Sequence, residues 1–244
     1  ASHCCLLLLL GCVSLKQMMT KRATNLALLE AVKHQSFEEV LQCLRKRVDV
    51  NFESKKGDKP LIEAVKGGDL RIIQILLDAG ADPNAPAATT SSPHHGLVAQ
   101  HLCSTAQQVR LLVRYGAEIN RMTTDKETLL HRLCGRFIHN REQWELVETL
   151  LELGVNVNIQ NKNGWTALHS AVSITASADV SSRVDVAQVL IHAGVDVDLQ
   201  TREGNTALML AARQGHLDLV RCLLLYGAPD TRPRSIHGQT AESF

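Results

Sequence analysis

The stretch TREGNTALMLAARQGHLDLVRCLLLYGAPD, residues 201–230, contains two short apolar patterns separated by a glycine. Residues 207–212 predict a short helix rich in Ala and Leu, whose small side chains allow another backbone to come close. Gly215 ends this helix. Residues 217–225 predict a second, amphipathic helix, and Gly227 ends it by adopting a positive φ. Neither helix is long enough to be stable alone in water, so the unit must pack against neighbours.

The position that closes this unit recurs along the chain at a nearly regular spacing. One arginine and five glycines occupy it, 33 to 40 residues apart: Arg47, Gly80, Gly116, Gly154, Gly194 and Gly227. A base period of 33 residues with short insertions is typical of helical repeats, in which each unit buries its apolar face against the next. The chain is therefore predicted to repeat one helix-turn-helix unit.

Short motifs within these copies resemble the ankyrin repeat: Thr166-Ala167-Leu168-His169, Thr206-Ala207-Leu208, Ala64 with Gly68, Gly215-His216, Gly80-Ala81-Asp82 and Gly154-Val155-Asn156-Val157-Asn158. The resemblance covers residues 21–244, and motif, period and order agree in several copies. It implies an all-α ankyrin-repeat solenoid of stacked helix-turn-helix units with hairpin-like finger loops. It also implies a protein–protein interaction module that binds through its concave face and finger loops.

The predicted repeats form one domain over residues 21–244, with boundaries at 21–52, 53–84, 85–120, 121–160, 161–200 and 201–230 and a partial repeat at 231–244. The third repeat is degenerate. Residues 85–95 predict a loop, and residues 96–103 predict an inner helix in which Gln100 and His101 replace small apolar residues. Extra residues near 135–143 and 173–182 are expected to bulge as loops between the two helices of their repeats.

Residues 1–20 form an apolar segment of uncertain role. The leucine run at 6–10 is far shorter than the roughly 20 residues of a membrane-spanning helix. It could belong to a secretory signal, but no Lys or Arg precedes it and no initiator Met is present. We expect a helix that packs on, or frays from, the first repeat, with a signal remnant as the alternative. The missing Met suggests a fragment.

Composition gives no sign of a nucleic-acid partner and favours a reducing compartment. Hydrophobic residues make up 45% of the chain but aromatic residues only 3%, and the net charge is +1. This balance does not predict a nucleic-acid surface. The seven cysteines contain no CxxC pair, so we expect buried, reduced thiols and a cytoplasmic or nuclear location.

No motif of a known catalytic class occurs in the sequence. His131 and His169 each end a Thr-x-x-His motif, for which the family resemblance implies a structural role: the threonine caps the turn and the imidazole binds backbone. His94 and His95 have no Cys or acidic neighbour to complete a metal site. We therefore predict a protein that is not an enzyme, uses no metal or cofactor, and takes no small-molecule substrate.

Four asparagines end the segments that follow the closing position: Asn51, Asn84, Asn120 and Asn158. Asn suits a tight turn and tolerates the left-handed region. The resemblance implies a second possibility, since asparagines at this place in ankyrin repeats can be hydroxylated by an oxygenase.

The partner-binding residues are expected on the finger tips and on the exposed side of the inner helices. Trp165 is open to two interpretations: an exposed anchor for a partner, or a ring packed over the adjacent finger. The tips are residues 55–58, 123–126, 161–165 and 201–205. The full candidate set is Lys55, Lys56, Asp58, Glu63, Lys66, Asp125, Lys126, Arg132, Asn163, Trp165, Ser170, Arg202, Asn205 and Arg213.

Three functional hypotheses follow. The first is a non-catalytic module that binds a partner protein on the concave face. The second is an adaptor fragment of a larger assembly, such as the substrate receptor of a ubiquitin ligase. The third, an enzyme, is disfavoured because no set of nucleophile, base or metal ligands converges.

Overall fold

The structure, a computed structural model, describes residues 21–87, 96–135, 141–173 and 180–226. The described residues divide into two compact units, one up to residue 103 with 114–117 and the other 104–113 with residues from 118 onward. Several predicted features lie outside the described residues: the segment 1–20, His94 and His95, most of both insertions, Gly227 and the partial repeat at 231–244.

The first unit consists of helix pairs. Helix α1 covers residues 21–33, and it is followed by α2 (Phe37–Leu44), α3 (Pro60–Gly67), α4 (Leu70–Asp78) and a 3-10 turn (Ala99–Leu102). Helix α3 packs against both α4 and the 3-10 turn, and α2 packs against α4. Most of the fully buried side chains are aliphatic, among them Leu28, Val40, Ile62, Ile72 and Ile73.

The second unit repeats the same arrangement. It contains α5 (Ala106–Arg114), α6 (Leu129–Cys134), α7 (Arg141–Glu152), α8 (Ala167–Val172), α9 (Val180–His192), α10 (Ala207–Arg213) and α11 (Leu217–Tyr226). The last residue of α5, Arg114, is assigned to the first unit. The short inner helices form a row, because α6 contacts α8 and α8 contacts α10, while the outer helix α9 contacts α11. Each pair therefore buries its apolar face against the next, as the sequence predicts.

The closing position has the left-handed backbone that its glycines predict. Gly80, Gly154 and Gly194 have φ values of +90°, +75° and +81°, and Arg47 adopts +54° in the same place. After α4, the N–H of Gly80 donates to the carbonyl of Leu77 at 3.0 Å, and the next N–H donates five residues back at 2.9 Å. This paired bonding is a Schellman cap, which satisfies the last carbonyls of the helix.

The all-α prediction is confirmed: the described residues contain helices and turns, with only an isolated bridge at Ala87. Two local predictions are wrong. The inner helix expected at 96–103 is a single 3-10 turn, Ala99–Leu102, because extended backbone at Val98 and at Cys103 bounds it on both sides. Residues 141–143 and 180–182, expected in loops, instead lengthen α7 and α9 to 12 and 13 residues.

Candidate partner-binding surface

Four finger turns share one backbone geometry: residues 54–58 in the first unit, and 123–127, 161–165 and 201–205 in the second. In each, the first N–H donates to the fifth carbonyl at 2.8–2.9 Å, and the fourth N–H donates to the first carbonyl at 2.9–3.0 Å. The fourth residue has a positive φ, provided by Gly57, Gly164 and Gly204 and, in one finger, by Lys126. A side-chain oxygen of the first residue also accepts from the fifth N–H, at 3.0–3.2 Å.

The three fingers of the second unit are joined to one another. The N–H of Lys162 donates to the carbonyl of Asp125 at 2.9 Å, and the N–H of Arg202 donates to the carbonyl of Asn163 at 2.9 Å. The ammonium of Lys162 also lies 3.2 Å from the Asp125 carboxylate. Backbone bonds therefore hold the tips in a fixed order, and loops held in this way commonly carry binding residues.

The two Thr-x-x-His motifs connect each inner helix to the following finger. The ring Nδ1 of His169 accepts the Thr166 N–H at 3.2 Å, so Nε2 carries the proton and donates to the carbonyl of Asn205 at 3.3 Å. His131 makes the matching contacts, with its Nε2 at 3.0 Å from the carbonyl of Trp165. The predicted structural role of both histidines is confirmed.

Burial keeps these imidazoles neutral. Desolvation lowers the pKa of His169 to about 4, although the carbonyl that accepts from its ring acts in the opposite direction. Desolvation also lowers the pKa of His131. Both rings are satisfied on their two nitrogens, so their geometry fits a structural link between helix and finger and not a general base.

The recurrent asparagines link consecutive repeats. The amide Oδ1 of Asn158 accepts the Asp196 N–H at 2.7 Å, and its Nδ2 donates to the carbonyl of Gly194 at 3.4 Å. Asn51 makes the same pair of bonds across to the next closing glycine. None of the four asparagines has a positive φ. The tolerance of Asn for the left-handed region therefore does not explain why Asn recurs here. Its side-chain amide does, because the oxygen accepts and the nitrogen donates a hydrogen bond to the next repeat.

The described residues offer little chemistry beyond these contacts. No group of three or more His, Cys, Asp or Glu side chains among them is placed to hold a metal ion. No helix in the described ranges has the length and apolar character needed to cross a bilayer. The four described cysteines, Cys43, Cys103, Cys134 and Cys222, are free thiols, and burial raises the pKa of Cys134 to about 12.

Comparison with known proteins identifies the repeat. A family model for ankyrin repeats (3 copies) matches residues 1–87 and 97–176, and a second, for ankyrin repeats (many copies), matches residues 174–224. The chain belongs to the ankyrin-repeat family. The ankyrin repeats of this family are protein–protein interaction modules.

Individual relatives resemble the chain only through part of their length. The E3 ubiquitin-protein ligase KEG of Arabidopsis thaliana is 26% identical over 202 residues, which are 79% of this chain but 12% of that protein. Ankyrin repeat and SOCS box protein 6 of Mus musculus is 28% identical over 59% of this chain and 34% of its own length. Among solved structures, the ankyrin repeat domain of Bcl-3 has a TM-score of 0.72 at 26% identity, covering 88% of this chain and 91% of that one.

The predicted partner-binding residues, on the fingers and inner helices, are exposed, partly buried or, for Asn205, buried. Exposed residues are Lys55, Lys56, Lys66, Asp125, Lys126, Asn163, Arg202 and Arg213. Partly buried residues are Asp58, Glu63, Arg132, Trp165 and Ser170. Some of these already have partners within the chain: Asp58 accepts from Lys33 at 2.8 Å, and Glu63 accepts from Lys66 at 3.0 Å.

Asn205 and Trp165 differ from the expectation of exposed tips. Asn205 is buried, with 3% of its surface exposed. Its N–H and carbonyl are bonded inside the finger, the carbonyl also lies 3.3 Å from His169 Nε2, and its Nδ2 donates to Glu203 at 3.1 Å. Its side chain is therefore removed from the candidate set. The Trp165 ring centre lies 6.3 Å from that of His169 with the planes tilted by 45°. This contact and its partial burial favour the interpretation of Trp165 as packing.

Sequence reasoning missed the role of the residue that begins each finger, whose side-chain oxygen accepts a hydrogen bond within the turn. Ser54, Thr123, Asn161 and Thr201 all carry a side-chain oxygen five residues before the helix cap, and this shared chemistry was visible in the sequence. It also missed that His101 occupies the place of the motif histidine. The ring Nδ1 of His101 accepts the Val98 N–H at 3.1 Å, as His131 and His169 do with their threonines.

Proposed function

We propose that this chain is a non-catalytic ankyrin module that binds a partner protein through the finger surface. This surface consists of the fingers 123–127, 161–165 and 201–205 with the inner helices α6, α8 and α10. One observation carries the proposal. The finger backbones are hydrogen-bonded to each other, whereas the exposed side chains of Lys126, Asn163 and Arg202 have no side-chain partner among the described residues.

This combination suits recognition of a protein. The fixed backbone lowers the conformational cost of binding, and side chains of both signs are presented at the tips. Asp125 and Lys126 stand on one finger, and Arg202 and Glu203 on another, all of them exposed. The mixture, with a net charge of +1 for the whole chain, favours a protein over a nucleic acid as the partner. Free, buried thiols fit a cytoplasmic or nuclear location.

The test compares two double variants in affinity capture from cell lysate. Asn163→Ala with Arg202→Ala removes tip side chains without touching the backbone bonds between fingers. Glu145→Ala with Asp185→Ala is the matched control, because both residues are exposed on outer helices. Proteins retained by the wild-type chain should be lost from the finger variant and kept by the control. If both variants retain the same proteins as the wild type, the finger surface is not the binding site.

A second candidate function is substrate reception for a ubiquitin ligase. It is favoured by two relatives, one named as an E3 ubiquitin-protein ligase and one as an ankyrin repeat and SOCS box protein. The chain spans only 12% and 34% of them, so the catalytic part of such an assembly would lie elsewhere. Depletion of the protein from cells should then reduce ubiquitination of its captured partner. Unchanged ubiquitination would leave the simple binding module.

A further inference from the structure

A groove in the first unit lies between helix α1 and the finger 54–58. Its volume is about 610 Å³, within the range of about 300–1,000 Å³ that is usual for ligand-binding clefts. Leu26 and Leu29 of α1 and Phe52 beside the finger provide its apolar lining. Leu26 is unusual for a leucine in this unit, because 40% of its surface is exposed. The groove therefore presents apolar surface that the described residues do not cover.

Charges around the groove are unevenly compensated. Its three carboxylates all have a lysine nearby: Asp58 lies 2.8 Å from Lys33, Glu30 lies 4.0 Å from the same ammonium, and Glu53 lies 3.8 Å from Lys59. Four other cations line the groove and make no ion pair within the described part of the chain: Lys21, Arg22, Lys55 and Lys56. The groove thus combines an apolar floor with an uncompensated positive rim.

We propose that this groove binds an acidic peptide segment that carries one apolar side chain. The apolar side chain would lie against Leu26 and Phe52, and flanking carboxylates would face the cations of α1 and of the finger tip. A purely apolar segment would leave the cations of the rim unpaired, and a basic segment would be repelled by them. This inference goes beyond the proposed function, because the groove belongs to the first unit and the finger surface to the second, and it names the chemistry of a partner segment.

The walls of the groove are fixed to each other before any ligand binds. The ammonium of Lys33 on α1 donates to the Asp58 carboxylate of the finger at 2.8 Å. That hydrogen bond raises the pKa of Lys33. Burial acts to raise the pKa of Asp58, but the bond from Lys33 holds it below its ordinary value. Both groups are therefore charged at neutral pH, and the remaining cations stay available for the ligand.

The test uses the whole chain and three fluorescent synthetic peptides of equal length. The first has Asp and Glu flanking a central Leu, the second replaces Leu by Gly, and the third replaces the acidic residues by Lys. Fluorescence anisotropy should show binding of the first peptide, with affinity at least tenfold above that of the other two. The affinity should fall as salt is raised, because the rim contacts are exposed to solvent.

Two variants of the chain locate the site. Lys55→Glu with Lys56→Glu should weaken binding of the acidic peptide by tenfold or more, whereas Arg141→Glu with Arg221→Glu, at exposed positions on outer helices of the second unit, should leave it unchanged. Three results would each overturn the proposal. The first is that the acidic peptide binds the Lys55/Lys56 variant as well as the wild type, and the second is that the basic peptide binds as well as the acidic one. The third is that no peptide binds, because the chain itself fills the groove. Lysate capture through the finger surface is scored separately, so its outcome does not depend on this result.

Discussion

Gly164 is the glycine whose replacement distinguishes contact between fingers from simple backbone strain. It has φ +76°, and a Cβ added there would lie 2.8 Å from the Arg202 nitrogen and 3.0 Å from the Thr201 carbonyl carbon. Gly154, in the same unit, has φ +75° and no neighbour within 4 Å of an added Cβ. The two alanine variants therefore share the conformational cost and differ only in the clash with the next finger.

The free-energy cost of the left-handed backbone can be separated from the cost of the clash with the next finger. A residue with a Cβ in the left-handed region costs about 1–2 kcal/mol in both variants. At Gly164 the clashing atoms are backbone, so the finger 201–205 must shift, which adds about 1–3 kcal/mol of overpacking. The same shift weakens the bond from the Arg202 N–H to the Asn163 carbonyl, worth about 1 kcal/mol. We expect Gly164→Ala to be less stable than Gly154→Ala by about 2 kcal/mol.

Urea unfolding followed by circular dichroism measures this difference. The midpoint of Gly164→Ala should lie below that of Gly154→Ala with a similar slope, since both variants unfold the same chain. Equal midpoints would mean that the fingers 161–165 and 201–205 are not in contact, and would refute the account of a bonded finger row.

Three further outcomes are expected. Arg47→Gly should raise the unfolding midpoint by removing a left-handed arginine, worth about 1 kcal/mol, and a lower midpoint would contradict the shared closing position. Asn158→Ala should cost about 1–2 kcal/mol in the same assay, because it leaves two backbone groups of the next repeat unpaired, whereas Asn163→Ala should change little. His169→Gln should be less stable than wild type at pH 7, and this deficit should narrow by up to about 3 kcal/mol as pH falls from 6.5 to 4. The deficit narrows because the pKa of His169 is lowered in the folded state. Below pH 6.5 the unfolded wild type binds a proton that the folded state does not bind, so the wild type loses stability. The glutamine variant does not titrate and keeps its stability. A deficit that stays constant with pH would show that His169 is not buried as a neutral ring.

The repeat architecture was predictable because it depends on local rules. The closing glycines require a positive φ, and even the exception at Arg47 was found from spacing alone. The contact of each histidine with its threonine was also predictable, through the resemblance of the Thr-x-x-His motif to the ankyrin repeat. Both features are settled within a few residues of sequence.

Features that depend on the neighbouring repeat were not predictable. Asn205 looks like an exposed polar tip, yet the structure buries it and brings its carbonyl to the ring of His169, 36 residues away. The insertion residues 141–143 read as loop by comparison with shorter repeats, but they extend α7. The third repeat has a single 3-10 turn in place of its inner helix, although His101 makes the motif contact with the Val98 N–H.

The most direct test of the binding account is hydrogen exchange on the chain with and without its captured partner. We predict that binding slows amide exchange in the fingers 123–127, 161–165 and 201–205, while the outer helices α7, α9 and α11 exchange as in the free chain. Protection confined to α7, α9 or α11 would contradict the assignment of the finger surface as the binding site.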